Sequence, residues 1–378
     1  MQTNPIAMNR TFQSRTLTPV VDVTQCAATF NGQRILAILV WVIACTIASL
    51  SIAQPPPPPV SPTRPKAAAK APAVLPPTVT TPVPRPKAVT PATPATPAKA
   101  PAKGAKDKAK MEMTNPELIT RDGIKLRAFY FASNRGKEAV PVIVCHEWQG
   151  QASPYGSLVK SLWDAGCAVI VPEFRGHGGS REYEIGGQKK EFDVARMSRN
   201  DVAKIISGDM EAVKKFLREE NNAEKLNLNA LALVGIREGA VIASQWAVKD
   251  LNFPSVGAMK QGQDVKALAL VSPSKILKGV SLDETLQDRL LWQLPFLVVV
   301  GESSGEFEDA DRFYKRLESM KKRAGRGTAD GLKFDSIPTS LSGPALVNEA
   351  PGVVEKITAF IKTELIDKSS KIPWVKRD

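Results

Sequence analysis

Histidine is scarce in this chain: it has two, His146 and His177, in 378 residues, and none follows position 177. Imidazole is the most common general base and metal ligand in proteins. Two histidines among scattered acidic residues show no spacing typical of metal ligands. The sequence therefore predicts no metal site and no other cofactor. It also excludes any catalytic arrangement whose histidine lies in the last half of the chain.

Cysteine is almost as rare, with four residues. Cys26 and Cys45 lie before or inside an apolar run, and only Cys145 and Cys167 fall in the later, globular part. They occupy the end of one predicted strand and the start of another. If those strands are parallel neighbours, about four residues of register, or roughly 13 Å, separate the sulfurs, which is too far for a disulfide. We interpret both as small core residues.

Acidic residues are nearly missing from residues 1–111, which hold 13 Lys and Arg against 2 acids, and this leaves 38 against 36 for the rest. Of the net charge of +13, therefore, +11 belongs to residues 1–111 and only +2 to the rest of the chain. Residues 54–110 also lack aromatic side chains. A nucleic-acid-binding protein would place its basic residues on a folded face with interleaved aromatics. The composition therefore argues against a nucleic-acid partner.

Residues 35–53 contain no charge and, at 19 residues, are close to the length that spans a bilayer as a helix. After a tail of residues 1–34, this run predicts a signal anchor. A cleaved signal peptide is the alternative, because small residues precede Gln54. Basic residues flank the run on both sides, so their distribution does not choose an orientation. We expect a membrane-anchored protein with its domain outside the cytoplasm.

Residues 54–111 are rich in proline, alanine, threonine and lysine. Such a composition cannot bury a core and favours an extended, disordered polyproline spacer. One interpretation is a plain tether. The other is that its basic residues hold the chain against an anionic envelope polymer or lipid surface.

Residues 112–378 alternate strand and helix patterns, which predicts a mostly parallel, doubly wound α/β sheet with helices on both faces. The residues 118–131, with an Asp-Gly turn at 122–123, indicate an opening hairpin. Helical spacing is found at 202–217 and 353–361. The further strands are predicted at 140–145, 167–171, 228–234, 265–271, 296–300 and 332–337.

The segment Leu233-Val234-Gly235-Ile236-Arg237-Glu238-Gly239 has the pattern of a nucleophile elbow, in which a strand turns sharply into a helix. The elbow motif G-x-S-x-G carries a serine at its centre. This chain has Arg237 there. A guanidinium stays protonated and only donates hydrogen bonds, so it cannot act as a nucleophile.

Four segments in the expected order resemble the α/β-hydrolase superfamily, closest to its serine-aminopeptidase-like and dienelactone-hydrolase-like branches. They are the strand and oxyanion loop at 142–150 (VIVCHEWQG), the loop at 171–180 (VPEFRGHGGS), the elbow at 235–239 and the final helix from 353. The resemblance covers residues 115–368 and implies the α/β-hydrolase fold.

The same resemblance implies that the catalytic triad is lost. Arg237 stands at the nucleophile position, and Ser304 stands at the acid position, four residues into the turn after the strand at 296–300. The loop at 339–352, which should present the base, has no histidine. Four carboxylates lie near the acid position: Glu302, Glu306, Glu308 and Asp309.

The remaining candidate binding residues are His146, Glu147 and Trp148 of the oxyanion loop, and Glu238 beside Arg237. We expect Glu147 to neutralise Arg237 across the cleft, because a dienelactone-hydrolase-like loop carries a glutamate that faces the nucleophile. The alternatives are that Arg237 points to solvent or pairs with Glu238.

Two further features of the sequence could suggest other chemistry. A nucleophilic pair of Cys145 with His146 is disfavoured because adjacent strand residues point to opposite faces. His177 is interpreted as structural, because it lies in a glycine-rich turn.

Three functional hypotheses follow. The first is a membrane-tethered pseudo-hydrolase that binds a protein partner or a small anionic ligand and does not act as an enzyme. The second is a hydrolase of esterase or peptidase type with altered active-site chemistry. The third is an envelope scaffold that uses the spacer and the outer surface.

Overall fold

The computed structural model describes residues 110–255, 260–325 and 328–377. Its central sheet has eight strands: β1 Met113–Thr114, β2 Ala128–Phe131, β3 Val140–Cys145, β4 Cys167–Pro172, β5 Leu231–Ile236, β6 Val265–Val271, β7 Phe296–Gly301 and β8 Leu332–Ile337. Their spatial order is β1-β2-β4-β3-β5-β6-β7-β8. β2 pairs antiparallel with both β1 and β4, and the other neighbours pair in parallel. The predicted, mostly parallel sheet is confirmed.

Helices cover both faces of this sheet. The α-helices are α1 Gly156–Asp164, α2 Arg199–Lys204, α3 Met210–Asn222, α4 Glu238–Leu251, α5 Phe307–Ala324, α6 Gly343–Glu349 and α7 Val353–Ile361. Apolar residues of α3 and α4 pack on one face, and those of α1, α6 and α7 pack on the other.

Strand β5 shows why the predicted strands are apolar runs rather than alternating patterns. Leu231 and Leu233 pack with α3 and α4, whereas Ala232 and Val234 pack with α1 and α7. Successive strand residues point to opposite faces, and here both faces are covered. β5 is therefore buried along its whole length.

The structure corrects three predicted boundaries. The strand predicted from 228 begins at Leu231, because Leu228–Ala230 form a 3-10 turn. The helix predicted at 202–217 is interrupted by a π turn at Ile205–Asp209. Within the predicted hairpin, Leu118–Ile119 pairs with Lys125–Leu126, and the chain then continues into β2.

The two cysteines of the domain are free and buried. β3 and β4 are parallel neighbours, and Val140 pairs with Cys167, so Cys145 lies five residues further along β3. Both therefore belong to the core, as predicted.

The last described residues, 372–377, form a segment that we call the C-terminal strap. Four asparagine side chains at the end of α3 and in the turn before β5 donate hydrogen bonds to its carbonyl groups. The pairs are Asn221 with Val375 (3.0 Å), Asn227 with Ile372 (2.8 Å), Asn229 with Pro373 (2.7 Å) and Asn222 with Arg377.

In the described residues, no helix has both the length and the apolar character needed to cross a membrane. The predicted tail, the predicted span at 35–53 and nearly all of the predicted linker lie outside the described residues.

Candidate functional site

The predicted elbow is present between β5 and α4. Arg237 has φ of 49° and ψ of −115°. Its backbone N–H donates to the carbonyl of Val271, 3.0 Å away on β6. A non-glycine residue in this region of φ and ψ costs about 1–3 kcal/mol. The chain therefore forms the sharp turn of the predicted elbow with an arginine at its centre.

The two glycines of the motif allow this turn to pack closely. A Cβ on Gly235 would lie 2.5 Å from Cα of Ala240, and a Cβ on Gly239 would lie 2.2 Å from the carbonyl oxygen of Cys145. Both contacts are with backbone atoms, which cannot swing away as a side chain could. The G-x-R-x-G spacing thus follows from packing of the elbow against β3 and α4.

The strain at Arg237 gives a testable expectation. Arg237→Gly should be more stable than Arg237→Ala by about 1–2 kcal/mol, because both variants lack the side-chain contacts and only glycine tolerates the positive φ. Urea unfolding of the two variants measures this difference. At exposed Lys315 in α5 the order should reverse, since alanine is the better helix former by about 1 kcal/mol. Equal stability of the two variants at position 237 would contradict the strain.

The guanidinium of Arg237 is neutralised by carboxylates of its own domain. Its Nη1 lies 3.0 Å from Oε1 of Glu306, and its Nε lies 3.8 Å from Oε2 of Glu238. Nη1 also donates a long hydrogen bond, 3.4 Å, to Oγ of Ser342. The side chain remains 38% exposed.

The expectation that Arg237 pairs with Glu147 is wrong. The carboxylate of Glu147 instead accepts a hydrogen bond from the hydroxyl of buried Tyr155, and it occupies the space beside Gly150, where a Cβ would collide with it. Burial raises the pKa of Tyr155, and the neighbouring Glu147 raises it further. Glu147 therefore anchors its own loop rather than facing the elbow.

Two serines follow the strands that lie beyond the elbow in the chain. Ser304 follows β7, and its Oγ is buried without a hydrogen-bond partner in the described part of the chain. Ser342 follows β8 at the start of α6 and reaches Arg237. The sequence analysis named Ser304 and included Glu306 among four carboxylates, but it did not single out Ser342. Its place before the Gly343-Pro344 helix start was the available signal.

His146 is a structural residue of the oxyanion loop. It is 1% exposed, its Nδ1 lies 2.7 Å from the carbonyl of Glu147, and its Nε2 accepts from the N–H of Phe174 at 3.3 Å. These partners place the proton on Nδ1, and burial lowers the pKa. The ring is therefore neutral and both nitrogens are engaged, so it offers no base to the elbow.

His177 is also buried, and its Nδ1 lies 2.9 Å from the carbonyl of Arg175. Its pKa is lowered to about 4, mainly by burial and also by the neighbouring His146. Its ring packs against Trp148, with 4.6 Å between the centroids. The thiol of Cys145 is unsuited to nucleophilic attack because burial raises its pKa.

The carboxylate of Glu238 binds the loop that follows β3. The N–H of Trp148 in that loop donates to Oε2 of Glu238 at 3.2 Å. The hydroxyl of Ser274 donates to the other oxygen, Oε1, at 2.9 Å. The sequence resemblance would place an oxyanion donor in this loop, because α/β-hydrolases use the N–H after the nucleophile and an N–H of the loop after this strand.

In the described residues, no group of three or more histidine, cysteine or acidic side chains is arranged to hold a metal ion.

No family model and no curated protein matches this chain. Solved structures are similar to it, among them an esterase of Pyrococcus furiosus (TM-score 0.48, 15% identity, 68% of this chain and 92% of that one). Others are a carboxyl esterase of Tuber melanosporum (0.48, 14%, 68% and 89%) and a dienelactone hydrolase of Anabaena variabilis (0.47, 13%, 68% and 97%). These proteins have the α/β-hydrolase fold that the sequence predicted, and a shared fold does not transfer activity.

Proposed function

We propose that this chain is a non-catalytic member of the α/β-hydrolase fold, a pseudo-hydrolase that serves as a membrane-tethered binding module for a protein partner. The observation that carries the proposal is the contact of Glu238 with the N–H of Trp148 beside Arg237 at the elbow. Arg237 stands in place of the nucleophile, and the carboxylate of Glu238, which lies close to its guanidinium, takes up the N–H of Trp148.

The chemistry of acyl transfer supports this proposal. A nucleophile needs a neighbouring base, and the tetrahedral intermediate needs free donors. Arg237 supplies no lone pair, and Ser342 stands where the base is expected. Each histidine is buried with a backbone partner. The loss therefore affects three separate requirements, and restoring any one would leave the others unmet.

The ion pairs of Arg237 also argue against a small anionic ligand at the elbow. A guanidinium that already contacts two carboxylates adds no net positive charge to the elbow. We therefore propose that the elbow region does not hold the small anion expected from the sequence.

The test is labelling of the full-length chain in detergent by a fluorophosphonate probe, together with hydrolysis of a panel of activated esters. We expect no labelling and no turnover above a heat-denatured sample. Arg237→Ala should behave in the same way. Turnover that survives Arg237→Ala but disappears in Cys145→Ala would overturn the proposal in favour of a cysteine nucleophile.

The tether is a separate part of the proposal and rests on the apolar run at 35–53. The full-length chain should remain in the membrane fraction after a carbonate wash, whereas a variant without residues 35–53 should not. Release of the full-length chain by carbonate would contradict the anchor.

A further inference from the structure

A basic cavity lies near the amino-terminal ends of strands β5 and β6, at the opposite end of these strands from the elbow. Its volume is about 180 Å³. Helix α3 contributes Lys214, Lys215 and Arg218, the segment before β6 contributes Lys260, and the C-terminal strap contributes Arg377. Asp264, which precedes β6, also lines it. The elbow lies at the other end of β5, so the two sites are separate.

One carboxylate, that of Asp264, pairs with three of these cations. Asp264 is fully buried; it lies 3.1 Å from Nζ of Lys214 and 3.2 Å from Nζ of Lys260, and it also pairs with Arg377. Lys214 has a second partner in buried Asp250. Two carboxylates thus face three cations in the interior.

The acidic residue that completes the lining does not correct this imbalance. Glu211 accepts a hydrogen bond from Trp246 at 2.9 Å and pairs with Lys249 at 3.1 Å, so its charge is already matched. At the rim, Lys215 and Arg218 are exposed and form no ion pair with any residue that the structure describes. The cavity therefore carries three positive charges in excess.

Part of this charge is withdrawn from water. Arg377 is 2% exposed. Its Nη atoms donate to the carbonyl of Lys260 and to the side chains of Asn229 and Asp264, but its Nε has no hydrogen-bond partner within the described residues. Burial lowers the pKa of Lys260; Asp264 opposes this change and Arg377 adds to it. Uncompensated buried charge is strongly destabilising. An anion in the cavity would remove that penalty and gain charge-assisted hydrogen bonds.

We infer that this cavity binds a phosphate group, either as inorganic phosphate or as part of a small phosphate monoester. A phosphate dianion matches the excess charge better than a monocarboxylate does, and its oxygens suit the fork of an arginine. The cavity admits a group of that size, while Lys215 and Arg218 stand at its rim to receive it. This inference is independent of the proposed function of the elbow.

The experiment is calorimetric titration of the full-length chain in detergent with inorganic phosphate and with glycerol 3-phosphate, at constant ionic strength. We expect saturable binding of at least one of these two ligands. The ligand that binds more tightly shows whether the cavity takes inorganic phosphate or a phosphate monoester. Replacing Lys215 and Arg218 by glutamine should weaken binding about tenfold or more, since each removes a charge-assisted contact. Thermal unfolding of that variant without ligand shows that it is folded.

The matched control replaces Lys315 and Lys322 by glutamine, two exposed lysines of α5 that already pair with acids one turn away. This variant should bind phosphate as the wild type does. Equal weakening in both variants, or heats that sodium chloride reproduces, would overturn the inference.

Discussion

Arg237→Ser alone is expected to stay unreactive toward a fluorophosphonate, because Glu238 still takes up the N–H of Trp148 and no histidine reaches the new hydroxyl. A quadruple variant is expected to be labelled at least about 100-fold faster than Arg237→Ser alone. Its four changes are Arg237→Ser, Glu238→Ala, Ser304→Asp and Ser342→His. They supply a nucleophile, free the oxyanion donor, and place an acid after β7 and a base after β8. The time course of labelling measures the difference.

The matched control for this series is the same variant with Glu238 retained. It should be slower by about 10²–10³, the usual effect of losing one oxyanion donor. If both variants react equally, the carboxylate of Glu238 does not obstruct the hole. If Arg237→Ser reacts by itself, a base exists that the structure does not place near the elbow.

The second large effect concerns Asp264. Asp264→Asn should cost about 3–5 kcal/mol of unfolding free energy, because it leaves three cations without their shared, fully buried partner. For a domain of this size the midpoint of thermal unfolding should fall on the order of 10 °C. Asp311→Asn, which breaks a surface pair with Lys315, should change little. A loss below about 1 kcal/mol in Asp264→Asn would show that the cations find other partners.

Most of the fold was predictable because the sheet is buried on both faces. Two predicted strands, 140–145 and 265–271, are buried apolar runs and agree with the structure at both ends. The partly exposed edge strand at 332–337 agrees as well, although it is not an apolar run. Apolar runs bounded by turn residues are strong signals when strands lie under helices. The π turn at Ile205–Asp209 was not predictable, because apolar spacing continues through it and only backbone hydrogen bonding reveals it.

The site was predictable in position but not in pairing. The elbow turn and the structural role of His177 follow from local patterns, whereas His146, expected among the binding residues, is buried with both ring nitrogens engaged. The choice between Glu306 and Glu147 as the partner of Arg237 depends on where two loops far apart in sequence meet, which no periodicity encodes. The hydroxyl of Tyr155 binds the carboxylate of Glu147 and so keeps it from Arg237. No pattern in the sequence predicts this hydrogen bond between residues eight positions apart.

The C-terminal strap also has a consequence for how the domain is made. A chain emerges from the ribosome with its N-terminal part first. Residues 372–377 follow every strand and helix of the sheet, yet Arg377 completes the charge cluster around Asp264 and Lys214. Until these residues are synthesised, the asparagines of α3 lack their partners and Asp264 has only its lysines. The domain therefore cannot reach its full stability before these last residues have been synthesised.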